Sequence, residues 1–150
     1  MKVVIQRCLE ASVTIDGVVK GKIGQGYMIL VGFVADDTEE DMKWIAGKID
    51  GLRVFNDQDD VMNLSIHDVD GDILLVSQFT LHAMTKKGNR PSYILAAKPE
   101  IAKPMYEKFI TILENQFGKK VETGEFGADM KVSLINDGPV TIIIDSKNKL

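Results

Sequence analysis

The sequence predicts a single mixed α/β domain, with a curved, barrel-like β-sheet covered on one side by two helices. Three observations predict it. Strand-length runs rich in Val and Ile are separated by Asp-Gly and other turn residues. Two segments carry apolar residues at helical spacing. The 150 residues contain no long Ser/Gly/Pro-rich linker and no internal repeat, so residues 1–150 read as one unit.

Taken in order, Lys2 to Cys8 is a Val/Ile-rich strand. Ser12 to Ile15 and Val18 to Ile23 flank Asp16-Gly17, a hairpin-turn signal. Tyr27 to Val34 is a continuous apolar run of strand length, the pattern of a strand buried on both faces. Thr38 opens a helix as its cap, and Glu39, Glu40 and Asp41 suit the positive end of the helix dipole. Met42, Ile45 and Ile49 follow at helical spacing, and the helix ends near Gly51. Leu52 to Phe55 is a short strand, and Asn56 to Asp60 is an acidic turn. After the Asp70-Gly71 turn, Ile73 to Phe79 reads as a strand, and Thr80 to Ser92 as a loop. The second helix covers Pro99 to Phe117, with Ile101, Met105, Phe109, Ile112, Leu113 and Phe117 as its core stripe and Gly118 as its stop. Pro104 is awkward there, so the helix either starts near Lys103 or kinks. Lys120 to Glu122 is a short strand. Met130 to Ile135 and Val140 to Asp145 read as a hairpin closed by Asp137-Gly138-Pro139.

Composition narrows the function classes. A hydrophobic fraction of 45% and a charged fraction of 27% are those of a soluble globular protein. No apolar run approaches the ~20 residues of a membrane helix, and early charge at Lys2 and Arg7 speaks against a signal peptide. Cys8 is the only cysteine, which fits a reducing, cytoplasmic setting, and it reads as a packed small hydrophobe. The net charge of −4 argues against broad binding along a nucleic-acid backbone. Narrow contact with one end of an RNA stays open through Lys86, Lys87 and Arg90, which otherwise form a solvated loop. His67 and His82 lack a partner at metal spacing, and Asn56 to Asp60 lacks the glycine and terminal Glu of a calcium loop, so no metal site is expected. Gly21 to Gly26 lies inside the hairpin region and does not open a helix, so it is not a phosphate loop.

Two short segments stand out. Ser77-Gln78-Phe79-Thr80-Leu81 ends an apolar strand, and Asn136-Asp137-Gly138-Pro139-Val140-Thr141 lies between two β-branched runs. Ser77 and Thr80 either close the strand end by hydrogen bonding or face a substrate. A nucleophile needs an adjacent base; His82 is two residues from Thr80 but reads as a surface loop residue. Gln78 offers an amide to a ligand. Phe79 either packs in the core or presents its N–H to an oxyanion. Gly138-Pro139 reads as a turn, yet proline adds a constraint that a hairpin does not need, leaving rigidly directed carbonyl groups.

These two segments, together with Val4-Ile5-Gln6-Arg7, Met62-Asn63-Leu64-Ser65, Lys87-Gly88-Asn89-Arg90-Pro91-Ser92 and Gly124-Glu125-Phe126-Gly127-Ala128-Asp129-Met130, resemble the D-aminoacyl-tRNA deacylases (the D-tyrosyl-tRNA deacylase family) over essentially the whole chain. His82 departs from the tyrosine usual there, and Met84-Thr85-Lys86 from a more usual acidic and basic pair. The resemblance implies a homodimeric α/β enzyme without cofactor that hydrolyses the ester of D-aminoacyl-tRNA, and also of glycyl-tRNA. It implies catalytic roles for Ser77, Gln78, Phe79 and Thr80. It further implies a cis Gly138-Pro139 peptide, inserted into the partner's site to reject L-residues. Arg7 either orients the Gly-Pro carbonyls or makes a structural ion pair; Lys86, Lys87, Arg90, Phe126, Met130 and Asn136 are supporting or tRNA contacts. The competing readings are a non-catalytic RNA-binding dimeric module and a purely structural dimerisation protein.

Overall fold

In the computed structural model, which describes residues 1–150, the first strand sets the architecture. Strand β1 spans Lys2–Ile15 and turns at Asp16-Gly17 into β2, Val18–Ile23. Both turn residues have positive φ, the conformation that the Asp-Gly pair accommodates. The N-terminal half of β1 pairs antiparallel with β3, Gly26–Gly32, from Lys2↔Gly32 to Cys8↔Gly26. Its C-terminal half pairs with β2. A single strand therefore serves two neighbours on one edge, and it must curve to do so.

Helix α1, Glu39–Gly51, begins with a capping box. Thr38 Oγ1 accepts from the Asp41 N–H at 3.3 Å, and Asp41 Oδ2 accepts from the Thr38 N–H at 2.8 Å. A two-stranded ribbon follows: β4, Phe55–Asn56, and β5, Met62–Leu64. The expected strand over Leu52–Phe55 thus begins three residues later. Strand β6, Asp72–Ser77, runs parallel to β3 and adds β7, Glu122–Thr123, also parallel. Both parallel crossovers carry a helix, as this connection requires.

Helix α2 covers Pro99–Phe117 and ends at Gly118, as the sequence indicates, but its buried stripe is rotated. Ala102, Tyr106, Phe109, Leu113 and Phe117 are buried, whereas Ile101 is 40% exposed and Met105 and Ile112 are half-buried. The Tyr106 hydroxyl donates to the Leu75 carbonyl at 2.8 Å, which turns the tyrosine face toward β6. The helix passes through Pro104; this residue and Glu100, whose carbonyl loses its donor, both lie on the solvent side, where water replaces the bond.

The second correction concerns the C-terminus. Residues Lys131–Asp145 are one 15-residue strand, β8, not a hairpin. Both halves pair antiparallel with β1, so the chain never reverses. Pairing jumps from Gln6↔Thr141 to Cys8↔Asn136, leaving Arg7 opposite the extra length Asp137–Val140. Asp137-Gly138-Pro139 therefore forms a bulge, where proline's missing N–H costs no ladder bond.

The main core fills the space between the sheet and the two helices and includes Tyr27, Ile29, Ile45, Ile49, Phe55, Leu75 and Phe109. A smaller one, with Cys8, Ala11, Val13, Met28, Leu74 and Val76, lies where the β1–β2 hairpin folds over β3 and β6 and nearly closes the sheet. Cys8 is fully buried, and burial pushes its thiol up to about 11, so it is not ionised near neutral pH. No helix is long and apolar enough to cross a membrane.

Candidate active site

Strand β6 ends at Ser77, two residues earlier than expected, and the chain enters a 3-10 turn, Phe79–His82. Two hydrogen bonds direct this change. The Gln78 N–H donates to Val31 O at 2.7 Å, holding Gln78 against β3, and the Leu81 N–H donates to Gln78 O at 3.3 Å, closing the turn. Bonding within the turn starts at Leu81, so it leaves the Phe79 and Thr80 N–H groups free of partners inside it. Phe79 is consequently lifted out of the core: it is 54% exposed, and its ring meets Tyr93 edge-on at 5.1 Å.

The turn sits on Gly32, the last residue of β3. A Cβ at this position would lie 2.7 Å from Gln78 O and 3.1 Å from the His82 ring. We expect Gly32→Ala to displace the turn, lowering stability by about 2 kcal/mol and turnover by at least about tenfold. Thermal melts alongside activity assays check this; unchanged turnover would show that the turn tolerates the added methyl. Nothing in the sequence marks Gly32 as a site residue, because close approach of two main chains has no local signature.

Beside the turn opens a pocket of about 610 Å³. Ser77, Gln78 and Phe79 line it together with Val31, Gly32, Phe126 and Met130, and the partly exposed Tyr93 lies at its rim. Here the structure joins three expected site residues to Phe126 and Met130, about fifty positions away in the chain. The titratable lining groups are Tyr93, Lys98 and Asp129. Thr80 Oγ1 accepts from Gln78 Nε2 at 2.5 Å, and an amide N–H cannot remove a hydroxyl proton. His82 is no surface loop residue. It is half-buried in the turn, packed on Gly32, and its Nε2 has no hydrogen-bond partner.

The second motif does not line the pocket of its own chain. Arg7 pairs with Tyr27 on β3, whereas Gln78 bonds Val31; four residues of strand, roughly 13 Å, separate the two levels. At the bulge, the Gly138–Pro139 peptide is cis, and both residues are exposed. Arg7, only 6% exposed, lies under it. Its Nε donates to Asp137 O at 3.1 Å and is 3.4 Å from Asp137 Oδ2; its Nη1 donates to Val54 O at 2.6 Å. Arg7 therefore makes the ion pair and also holds the main-chain carbonyl of Asp137, the residue before Gly138. Asn136 is exposed on β8, at the start of the bulge.

Lys86, Lys87 and Arg90 are exposed and do not line the pocket. Their loop is pinched at its base, where the Met84 N–H donates to Ser92 O at 2.8 Å and the Ser92 N–H returns a bond to Met84 O at 3.0 Å. The next residue is Tyr93, so the basic loop springs from the pocket rim.

An apolar pocket bordered by main-chain groups, an amide and hydroxyls defines an α/β protein built to hold a small organic group. Residues 4–145 match the family described as D-Tyr-tRNA(Tyr) deacylase, and the chain belongs to that family. Similar proteins named D-aminoacyl-tRNA deacylase, a hydrolase's name, include one from Flavobacterium psychrophilum, 64% identical over 99% of both chains. Another, from Parabacteroides distasonis, is 60% identical over the same share of each chain. A solved structure described as a c-Myc DNA unwinding element binding protein superposes with a TM-score of 0.91 at 39% identity, covering 97% of this chain and 98% of that one. Another, described as a probable eukaryotic D-amino acid tRNA deacylase, shares the fold at a TM-score of 0.82 and 17% identity, over 95% of this chain and 97% of that one.

Proposed function

We propose that the protein hydrolyses the ester bond of D-aminoacyl-tRNA, releasing the D-amino acid and tRNA, without a cofactor and in the cytoplasm. The observation that carries this reading is the apolar pocket lined by Ser77, Gln78 and Phe79; Thr80 lies next to it in the chain but not in its lining, and its hydroxyl meets the Gln78 amide rather than a base. An aminoacyl ester is already activated, so positioning and oxyanion stabilisation suffice. Water adds to the ester carbonyl, assisted by the ribose 2′-hydroxyl. The Phe79 N–H receives the developing oxyanion, and the ribose oxygen leaves with a proton. Lys86, Lys87 and Arg90 meet phosphates of the tRNA 3′ end, close to the rim from which their loop springs. Release of D-tyrosine from D-tyrosyl-tRNA tests the reading; retention of the RNA without release would favour a non-catalytic binding module.

Selectivity comes from Gly138 and Pro139 of a second copy of the chain, inserted into this pocket. Exposure of both residues, their absence from the pocket of their own chain, and the unpaired outer edge of β8 support the homodimer. Along that edge and beside it, Ile135, Ile143 and Leu9 are 49%, 66% and 51% exposed, a surface that a second copy would cover. Main chain at the amino acid's α-carbon admits a D-side chain directed outward and blocks an L-Cβ, and a backbone wall cannot repack to accept it.

Two outcomes follow here. Thr80→Ala is expected to retain turnover within about tenfold; complete loss would restore Thr80 as the nucleophile. Glycine lacks a Cβ for the wall to reject, so glycyl-tRNA is expected to be hydrolysed, and a rate no higher than spontaneous hydrolysis would refute the steric mechanism.

A further inference from the structure

We propose that Asn56 is a positioning residue for stereochemical selectivity, aligning Arg7 beneath the Gly138–Pro139 bulge; this rests on the bulge being the selectivity wall. The Arg7 guanidinium makes its own contact with the bulge through Nε, at Asp137 O. What fixes the plane of that guanidinium is its other end, where Nη1 donates to Val54 O at 2.6 Å and to Asn56 Oδ1 at 3.1 Å. Asn56 is held in turn, because its Nδ2 donates to Asp60 Oδ1 at 2.7 Å.

The chemistry at position 56 suits an asparagine. Arg7 can only donate, and the Asp60 carboxylate can only accept, so the bridging side chain must accept at one end and donate at the other. The acidic turn beyond it is rigid for a further reason. The Asp57 carboxylate accepts from the Asp59 N–H at 2.9 Å, the Val61 N–H at 3.1 Å and Asn63 Nδ2 at 3.1 Å. The turn that resembles a calcium loop in composition is thus an anchor: its Asp57 and Asp60 carboxylates are engaged by nearby donors, and the main chain they fix sets the Asn56 acceptor oxygen against Arg7. Arg7 Nη2 lies 2.9 Å from the position that a Cβ on Gly138 would take, so a swing of the guanidinium plane moves the floor of the bulge.

Two substitutions separate this role from ordinary stabilisation. Asn56→Ala removes both bonds; Asn56→Asp loses the donor to Asp60, whose exposed carboxylate can turn away into solvent, but keeps an acceptor oxygen for Arg7. The full-length protein is assayed on D-tyrosyl-tRNA and L-tyrosyl-tRNA, with thermal melts of each variant. The expected result is a fall of at least about tenfold in the D-over-L rate ratio for Asn56→Ala, with the ratio for Asn56→Asp within about threefold of the parent. Equal ratios for parent and Asn56→Ala would overturn the proposal, as would equal losses in both variants, because a structural role predicts parallel behaviour. Pro139→Ala is the companion measurement. A changed ratio for Pro139→Ala beside an unchanged one for Asn56→Ala removes only the role of Asn56. An unchanged ratio for Pro139→Ala removes the wall itself, and the proposal with it.

Discussion

Gly138→Ala is expected to lower turnover of D-tyrosyl-tRNA by about 100-fold while leaving the protein folded. Gly138 has φ +121, a region that residues with a Cβ occupy only at a cost of about 1–3 kcal/mol. A Cβ there would lie 2.9 Å from both Arg7 Nη2 and Val140 Cγ2, and 3.1 Å from Val140 N. The arginine cannot retreat freely, because Val54 O and Asn56 Oδ1 hold its other end. The bulge must therefore move, and the carbonyl groups that it is proposed to display to a partner's pocket move with it. An ångström of displacement at a positioning element is enough for a hundredfold loss. Both residues of the motif are exposed, so the change falls on activity far more than on stability. Rates within threefold of the parent, with normal melting, would mean that the direction of this loop is immaterial.

Gly26→Ala is expected to act in the opposite sense, on stability before activity. Gly26 opens β3 where it meets the first residue of β6 in parallel register, Gly26↔Asp72. A Cβ would overlap the Asp72 carbonyl oxygen outright and lie 2.7 Å from its nitrogen and 2.8 Å from its carbonyl carbon. These are main-chain atoms of a buried sheet, so neither strand can yield without breaking the register that carries Ser77 and Gln78 to the pocket. Separating the strands costs about 3 kcal/mol, a large share of the 5–15 kcal/mol that holds such domains together. For a chain of this size the melting temperature should fall by about 10 °C. A thermal melt checks it, and a shift below about 2 °C would show that β3 and β6 adjust more easily than their contact distance implies.

Local chemistry wrote much of the fold plainly into the chain. The Asp16-Gly17 hairpin, the Thr38 cap, the apolar centre of β3 and the span of α2 each depend on neighbouring residues, and each falls where the sequence places it. What it hid depends on partners far along the chain. Nothing near Asp137-Gly138-Pro139 says that both flanks pair with the same strand, so a bulge reads as a hairpin. The stripe of α2 is rotated because Tyr106 finds a carbonyl on β6, thirty-one positions earlier. Phe79 reads equally as core or site until the turn lifts it toward Tyr93. Of the candidate site, Ser77, Gln78, Phe79, Phe126 and Met130 were legible through family motifs, and the structure brings them to one pocket. Gly32, Tyr93 and Asn56 were not, since their contributions are contacts made across the sheet or between loops.

Mixed dimers give the most direct measurement. One variant carries Gly138→Ala, the other Gln78→Ala with Phe79→Ala, and the two, each inactive alone, are dissociated together and allowed to reassociate. If each site joins the pocket of one protomer to the bulge of its partner, random pairing makes half the dimers mixed, and each of these holds one intact site of two. D-tyrosyl-tRNA hydrolysis should then return to about a quarter of the parent rate. If each chain builds its site alone, no mixed dimer has an intact site; a rate that stays at the level of the separate variants would contradict a shared stereochemical wall.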